Sequence, residues 1–378
     1  MKFFVLLVVL AVAGCAWCWE NPNCAPRSCC VPHRTGGCIN NATESCVCAV
    51  DSYCCDVAWD SKCVASASDL GCLGGNGTWT TMAPMSTARM DLTATQVGGI
   101  IYAIGGRGAD TGETTLNTVE AYDPSTNSWR ERAPMPTARY GLASCEVDGI
   151  LYAIGGHDDF GPTAVVESYN PATNTWTKET SLPEPTWQLA SSEVGGLAYA
   201  IGGEYDYSIL SKTESFDPST ARWTTVQPMP TARGYLASSP VDGIIYAIGG
   251  YANDYLNTVE AYDSSDNRWT TKAPMPTARN ELACSSVHGR IYAMGGSSHT
   301  DGYLNLVEAY DVATNTWATV TSMPTGRYAL ASAEVDGIIY AIGGRSSNFY
   351  YEPGWALNTV EAYSAFPAEA CSCISARV

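Results

Sequence analysis

An all-β fold of six repeated sheets is predicted by three features that recur in step along this chain. The first is a tryptophan at Trp79, Trp129, Trp176, Trp223, Trp269 and Trp317, spaced 46 to 50 residues apart. The second is a glycine pair in every copy: Gly105-Gly106, Gly155-Gly156, Gly202-Gly203, Gly249-Gly250, Gly295-Gly296 and Gly343-Gly344. The third is a segment of the form V-E-A-Y-D that follows each pair. A period of this length marks an architecture in which each repeat is one supersecondary unit.

Residues 129–175 show how one unit is built. The run Y-G-L-A-S-C-E-V reads as a strand, and Asp148-Gly149 after it is the signal of a two-residue type I′ hairpin. The return run I-L-Y-A-I is wholly apolar, as expected of a strand covered on both faces. Gly155-Gly156 then releases the chain where positive φ or close approach excludes a side chain. V-E-S-Y forms the third strand, N-P-A-T-N supplies turn chemistry, and Trp176 opens the fourth strand. One such sheet cannot bury two apolar faces alone. Packed radially, six sheets cover one another and leave only short edges.

These residues resemble the Kelch family of β-propellers. The double glycine, the tyrosine of V-E-A-Y-D and the tryptophan beyond it recur through the chain. The last copy keeps Val360–Tyr363 but has Ser364 for the aspartate and no tryptophan after it, whereas Trp79 has no preceding partner. One arrangement resolves both oddities: the Trp79 strand completes the sheet of the final copy. That closure would remove an open edge. The expected organisation is therefore a signal peptide over 1–16, a cysteine-rich module over 17–75, a six-bladed Kelch propeller over 76–366 and a tail over 367–378.

Met1–Gly14 carries one lysine and an apolar run too short to span a bilayer, which reads as a secretory signal. Val12-Ala13-Gly14-Cys15 also matches a lipobox, leaving a lipid anchor at Cys15 open. Ten of the 16 cysteines lie between Cys24 and Cys72. Such a segment has little core and is expected to be stapled by disulfides, its one histidine and unpaired spacing arguing against zinc. It resembles a small cysteine-rich extracellular module. Asn41 and Asn76 head glycosylation sequons, and at least one of the tail cysteines Cys371 and Cys373 is expected to bond to the cysteine-rich segment.

The formal charge is −18, with 38 acidic against 20 basic side chains. No basic footprint for nucleic acid is present. Catalytic signatures are sparse: there are four histidines, no metal is expected, and no cofactor is called for. Enzymatic activity is accordingly not the leading expectation.

The candidate ligand site is the mouth of the ring. The segment before each first strand, P-T-A-R or close to it, places Arg89, Arg139, Arg233, Arg279 and Arg327 at equivalent positions, and the third copy has Thr186 there, next to Trp187. In Kelch propellers this position lies near the central channel, so the resemblance implies an arginine-lined mouth suited to an anionic ligand. The alternative is a structural arginine paired with a blade glutamate such as Glu120, Glu167 or Glu260. Loops after the glycine pairs are expected on the same face. With Tyr140 and Tyr328 beside the arginines, they add Tyr205, Tyr255 and Tyr351 as candidate contacts. Rings beside polar groups suit an extracellular glycan or protein. The resemblance also implies a second option, a metal-free epimerase or mutarotase of the sialic-acid type. Cys145 and Cys284 read as small buried hydrophobes.

Overall fold

A computed structural model of the chain describes residues 77–108, 114–300, 302–346 and 355–365. They belong to one compact unit, Gly77–Ala365. The signal segment, the cysteine-rich module with its disulfides, both sequons, Tyr351 and the tail cysteines lie outside the described residues.

The described fold is all-β, with six four-stranded antiparallel sheets and no helix among the described residues. In the second sheet the strands Ala143–Val147, Ile150–Ile154, Val166–Asn170 and Thr175–Lys178 pair in sequence order. Asp148 and Gly149 both take positive φ, 51° and 80°, as the hairpin signal requires. Burial follows chemistry across the sheet. The first strand alternates, the second and third are almost wholly buried, and the fourth is mostly exposed.

The sixth sheet is composite. Thr78–Thr81 pairs antiparallel with Val360–Ser364, Trp79 opposite Tyr363. Its remaining strands are Ala331–Val335 and Ile338–Ile342. The first strand of each sheet touches the first strands of both neighbours, and that of the sixth touches that of the first. The apolar clusters are correspondingly shared between sheets. One joins Tyr102, Ile104, Val119 and Ala121 of the first sheet to Leu151, Ala153 and Tyr169 of the second.

Each repeated tryptophan ties one sheet to its neighbour. Trp129 packs on Tyr122 at 5.0 Å between ring centroids, while its Nε1 donates to Ala83 O at 2.8 Å. Asn127 Oδ1 accepts from both Tyr122 Oη and Ala83 N, at 2.7 and 2.8 Å. Equivalent clamps use Trp176 with Asn174, Trp269 with Asn267 and Trp317 with Asn315. The third sheet departs, with Phe216 for the tyrosine and Ala221 for the asparagine.

The glycine pairs are required by close approach. A Cβ on Gly105 would stand 2.6 Å from Arg139 O, and one on Gly106 would stand 2.7 Å from Met90 O. Cys145 is buried and Cys284 half-buried, and burial pushes both thiols up to about 12.

Candidate functional site at the mouth of the ring

The arginines of P-T-A-R do not line the mouth. Arg89, Arg139, Arg233, Arg279 and Arg327 have no exposed surface, and each pairs with a glutamate of its own sheet. The partners are Glu120, Glu167, Glu260, Glu308 and Glu361, at 2.5–3.0 Å. In the fourth sheet Arg233 also donates to Thr258 O at 2.8 Å, and Thr231 Oγ1 holds the other carboxylate oxygen of Glu260 at 2.8 Å. Burial lowers Arg89, Arg139, Arg233 and Arg327 to about 10, the paired glutamate opposing the shift. The expectation of five ligand-binding arginines is thereby corrected. A buried glutamate in each sheet draws the guanidinium inward, where it also satisfies loop carbonyls. The physical ground for an anionic ligand goes with it.

Thr186 breaks the latch in the third sheet. Glu214 is buried there without an arginine, and burial raises its pKa, Lys212 lowering it and Glu184 raising it. Lys212 instead pairs with Glu184, which stands where the other copies have the latch threonine.

The mouth is formed by the residues that follow the arginines. Each residue directly after the latch position forms an antiparallel bridge with the residue after a glycine pair. These bridges are Met90 to Arg107, Tyr140 to His157, Trp187 to Glu204, Gly234 to Tyr251, Asn280 to Ser297 and Tyr328 to Arg345. The expectation that the two segments share a face agrees with this pairing.

One residue further on, Asp91, Gly141, Gln188, Tyr235, Glu281 and Ala329 all take positive φ, between 50° and 58°. Their backbones form a cyclic belt. Gly141 N donates to Asp91 O, Gln188 N to Gly141 O, Tyr235 N to Gln188 O, Glu281 N to Tyr235 O, Ala329 N to Glu281 O and Asp91 N to Ala329 O. The six bonds measure 2.7–2.9 Å. A left-handed backbone costs a non-glycine residue about 1–2 kcal/mol, and here each one gains an axial hydrogen bond.

Side chains on the belt make a polar network. Arg107 Nη2 meets Asp91 Oδ2 at 2.8 Å, and Gln188 Nε2 donates to Asp91 Oδ1 at 3.2 Å. The Gln188 amide lies over Gly141, where a Cβ would meet Nε2 at 3.1 Å. Glu281 is half-buried, and protein encloses it closely enough that burial pushes its carboxyl up to about 8. The neighbouring Asp91 adds to that rise, while Arg107 and Arg345 oppose it.

Aromatic side chains border the network. Tyr140 stacks on His157 at 4.9 Å and meets Trp187 edge-on at 6.0 Å. Trp187 in turn meets Tyr235 at 5.8 Å, and Arg107 lies 4.3 Å over the Tyr140 ring. Tyr235 Oη donates to Glu204 Oε2 at 3.2 Å. Tyr328 and Trp355 enclose Arg345 at 5.7 and 5.0 Å. Tyr255 sits apart, 5.7 Å from Tyr251 and 6.2 Å from His299, while Tyr205 is half-buried beside Glu204. Thus Tyr140 and Trp187 come together, and Tyr205, Tyr255 and Tyr328 are placed around them rather than with them.

Asp91, Arg107, His157, Gln188, Glu204, Tyr235, Glu281 and Arg345 were not singled out in the sequence. A signal was present for the belt. The position two beyond the latch reads Asp, Gly, Gln, Tyr, Glu and Ala, while the residue after it is leucine in every copy.

A ring of sheets around a backbone belt with one residue from every copy defines a β-propeller. The family model for the KLHDC2/KLHL20/DRC7 Kelch-repeats domain matches residues 91–275 and 189–369. The chain belongs to the Kelch-repeat family. A solved structure described as "Structure of YjhT" is similar in fold, with a TM-score of 0.63 and 19% identity. The match covers 74% of this chain and 95% of that one. No curated protein matches the chain.

Proposed function

We propose that this chain is a secreted, non-enzymatic recognition protein. In this reading a closed six-bladed Kelch propeller, carried behind a disulfide-stapled module, binds an extracellular glycan or protein at its mouth. The observation that supports it best is the half-buried Trp187, flanked by Tyr140, His157 and Tyr235 on the belt face. Rigid rings offer large contact area at small entropic cost. The full chain applied to glycan and extracellular-protein arrays should give binders that Trp187→Ala loses at least tenfold without a change in melting temperature. Binding that is indifferent to Trp187 would move the interaction away from this mouth.

Glu281 favours a second reading, a metal-free carbohydrate epimerase or mutarotase. A carboxyl that titrates near neutrality, beside Asp91 and the belt tyrosine, is suited to proton transfer. Turnover of N-acetylneuraminate anomers or epimers, followed by NMR and lost in Glu281→Gln, would establish it over simple recognition.

A further inference from the structure

We propose that a cleft at this mouth, formed by the third, fourth and fifth copies, takes a primary alkylammonium group. The inference deepens the recognition reading and rests on it. The cleft has a volume of about 430 Å³ and is lined by Glu204, Tyr207, Ile209, Tyr235, Tyr251, Ala252 and Asn280. That size lies within the range of small-molecule sites, roughly 300–1,000 Å³.

Three observations converge on a cation. No basic side chain lines the cleft, and Glu204 forms no ion pair among the described residues. One oxygen of Glu204 accepts from Tyr235, and the other accepts no hydrogen bond among the described residues. Asn280 Oδ1 is buried and also accepts none. The cleft therefore offers acceptors awaiting donors. Buried polar atoms are as a rule hydrogen-bonded, so the Asn280 oxygen calls for a donor from the cleft.

The rings point the same way. Tyr207, Tyr235 and Tyr251 line the same cleft as the Glu204 carboxylate, and aromatic ring faces attract cations. Tyr207 is 96% exposed and sits at the tip of the hairpin joining Glu204–Tyr205 to Ser208–Ile209. Asp206 and Tyr207 both take positive φ there, 47° and 60°. A two-residue hairpin of this kind requires positive φ at both central positions, and it leaves the Tyr207 ring outside the core.

The arginines of the mouth belong to copies that do not line the cleft. Arg107 and Arg345 come from the first and sixth copies, the former held by Asp91 and the latter enclosed by Tyr328 and Trp355. The charge of −18 would draw a cation toward the molecule. Free acceptors favour an ammonium that carries N–H donors over a quaternary one. A lysine side chain and an amino sugar both supply that group.

Calorimetry on the full chain at low salt and mildly acidic pH separates these sources. The probes are acetyl-Gly-Lys-Gly-amide against its norleucine counterpart, and glucosamine against N-acetylglucosamine. Saturable binding of either amine, at least tenfold tighter than its neutral analogue, supports the inference and identifies the source. Glu204→Gln should weaken that binding at least fivefold. Tyr207→Asn, which tolerates the backbone and removes a ring outside the core, should weaken it at least threefold. Equal binding of charged and neutral probes, or no binding of either amine, overturns the inference. The recognition reading fails separately, when array binders prove insensitive to Trp187→Ala.

Discussion

Arg327 Nη2 donates to Glu361 Oε2 at 2.7 Å, with 0% of the arginine side chain and 2% of the glutamate side chain exposed. Arg327 also donates to Gly343 O, Thr359 O and Ala341 O. It is thus a latch between the inter-sheet segment and the sixth sheet. Removing one member of a buried ion pair leaves the other uncompensated, at a cost of about 3–5 kcal/mol. Arg327→Ala should lower the melting temperature by on the order of 10 °C. Glu361→Leu in the same background should restore part of that loss, because no buried carboxylate then remains alone. A melting temperature unchanged in Arg327→Ala, measured calorimetrically, would contradict the latch.

The clamp missing from the third sheet can be rebuilt. Ala221 stands at φ 54° where the other described sheets that have the clamp carry asparagine at 47° to 57°. Asparagine adopts this conformation more readily than alanine, whose left-handed state costs about 1–2 kcal/mol. Ala221→Asn should therefore stabilise the protein by about 1 kcal/mol and raise its melting temperature by about 2–4 °C. Phe216→Tyr added to it should bring a further gain, since the new hydroxyl would have the asparagine oxygen as acceptor. A loss of stability in the single variant would show that the third sheet has repacked around its departure.

Glu281 predicts a particular dependence on pH. The folded protein raises its carboxyl from the ordinary 4.5 to about 8, so between these values the folded state binds more protons than the unfolded chain. Stability from this group is then fully present below pH 4.5, falls as pH rises, and levels off above about pH 8. Glu281→Gln carries no such proton. The melting temperature of wild type minus that of Glu281→Gln should decline across this window. A flat difference would place Glu281 in freer contact with water.

Closure through Thr78–Thr81 is testable by truncation. A chain beginning at Gly77 retains the strand that pairs with Val360–Ser364. One beginning at Ser86 loses that strand, the Trp79 ring on Tyr363 at 5.0 Å and the buried Met85. It also bares the edge of the sixth sheet, a template for aggregation. The shorter chain should melt at least 10 °C lower or precipitate on expression, as judged by circular dichroism and light scattering. Equal melting would show that the final sheet does without its fourth strand.

The repeat period and the hairpin at Asp148-Gly149 were legible because each is a pattern along the chain, and the pairing of Trp79 with the last copy was legible because the first and last copies are complementary halves. Apolar alternation and turn chemistry are properties of neighbouring residues, an unmatched half-repeat shows on comparing copies, and all three survive in a one-dimensional string. The clamps of Trp129 and its counterparts follow from the same repetition. Which way a side chain points is another matter. P-T-A-R marks where the chain enters a first strand, yet Arg89, Arg139, Arg233, Arg279 and Arg327 turn away from the channel because a buried carboxylate lies behind each. Only the folded sheet sets that balance between solvation and pairing. The mouth likewise depends on tertiary structure. Asp91 and Gln188 are 97 positions apart, and Asp91, Tyr235 and Glu281 become one network only when the belt bonds draw six left-handed residues around a common axis.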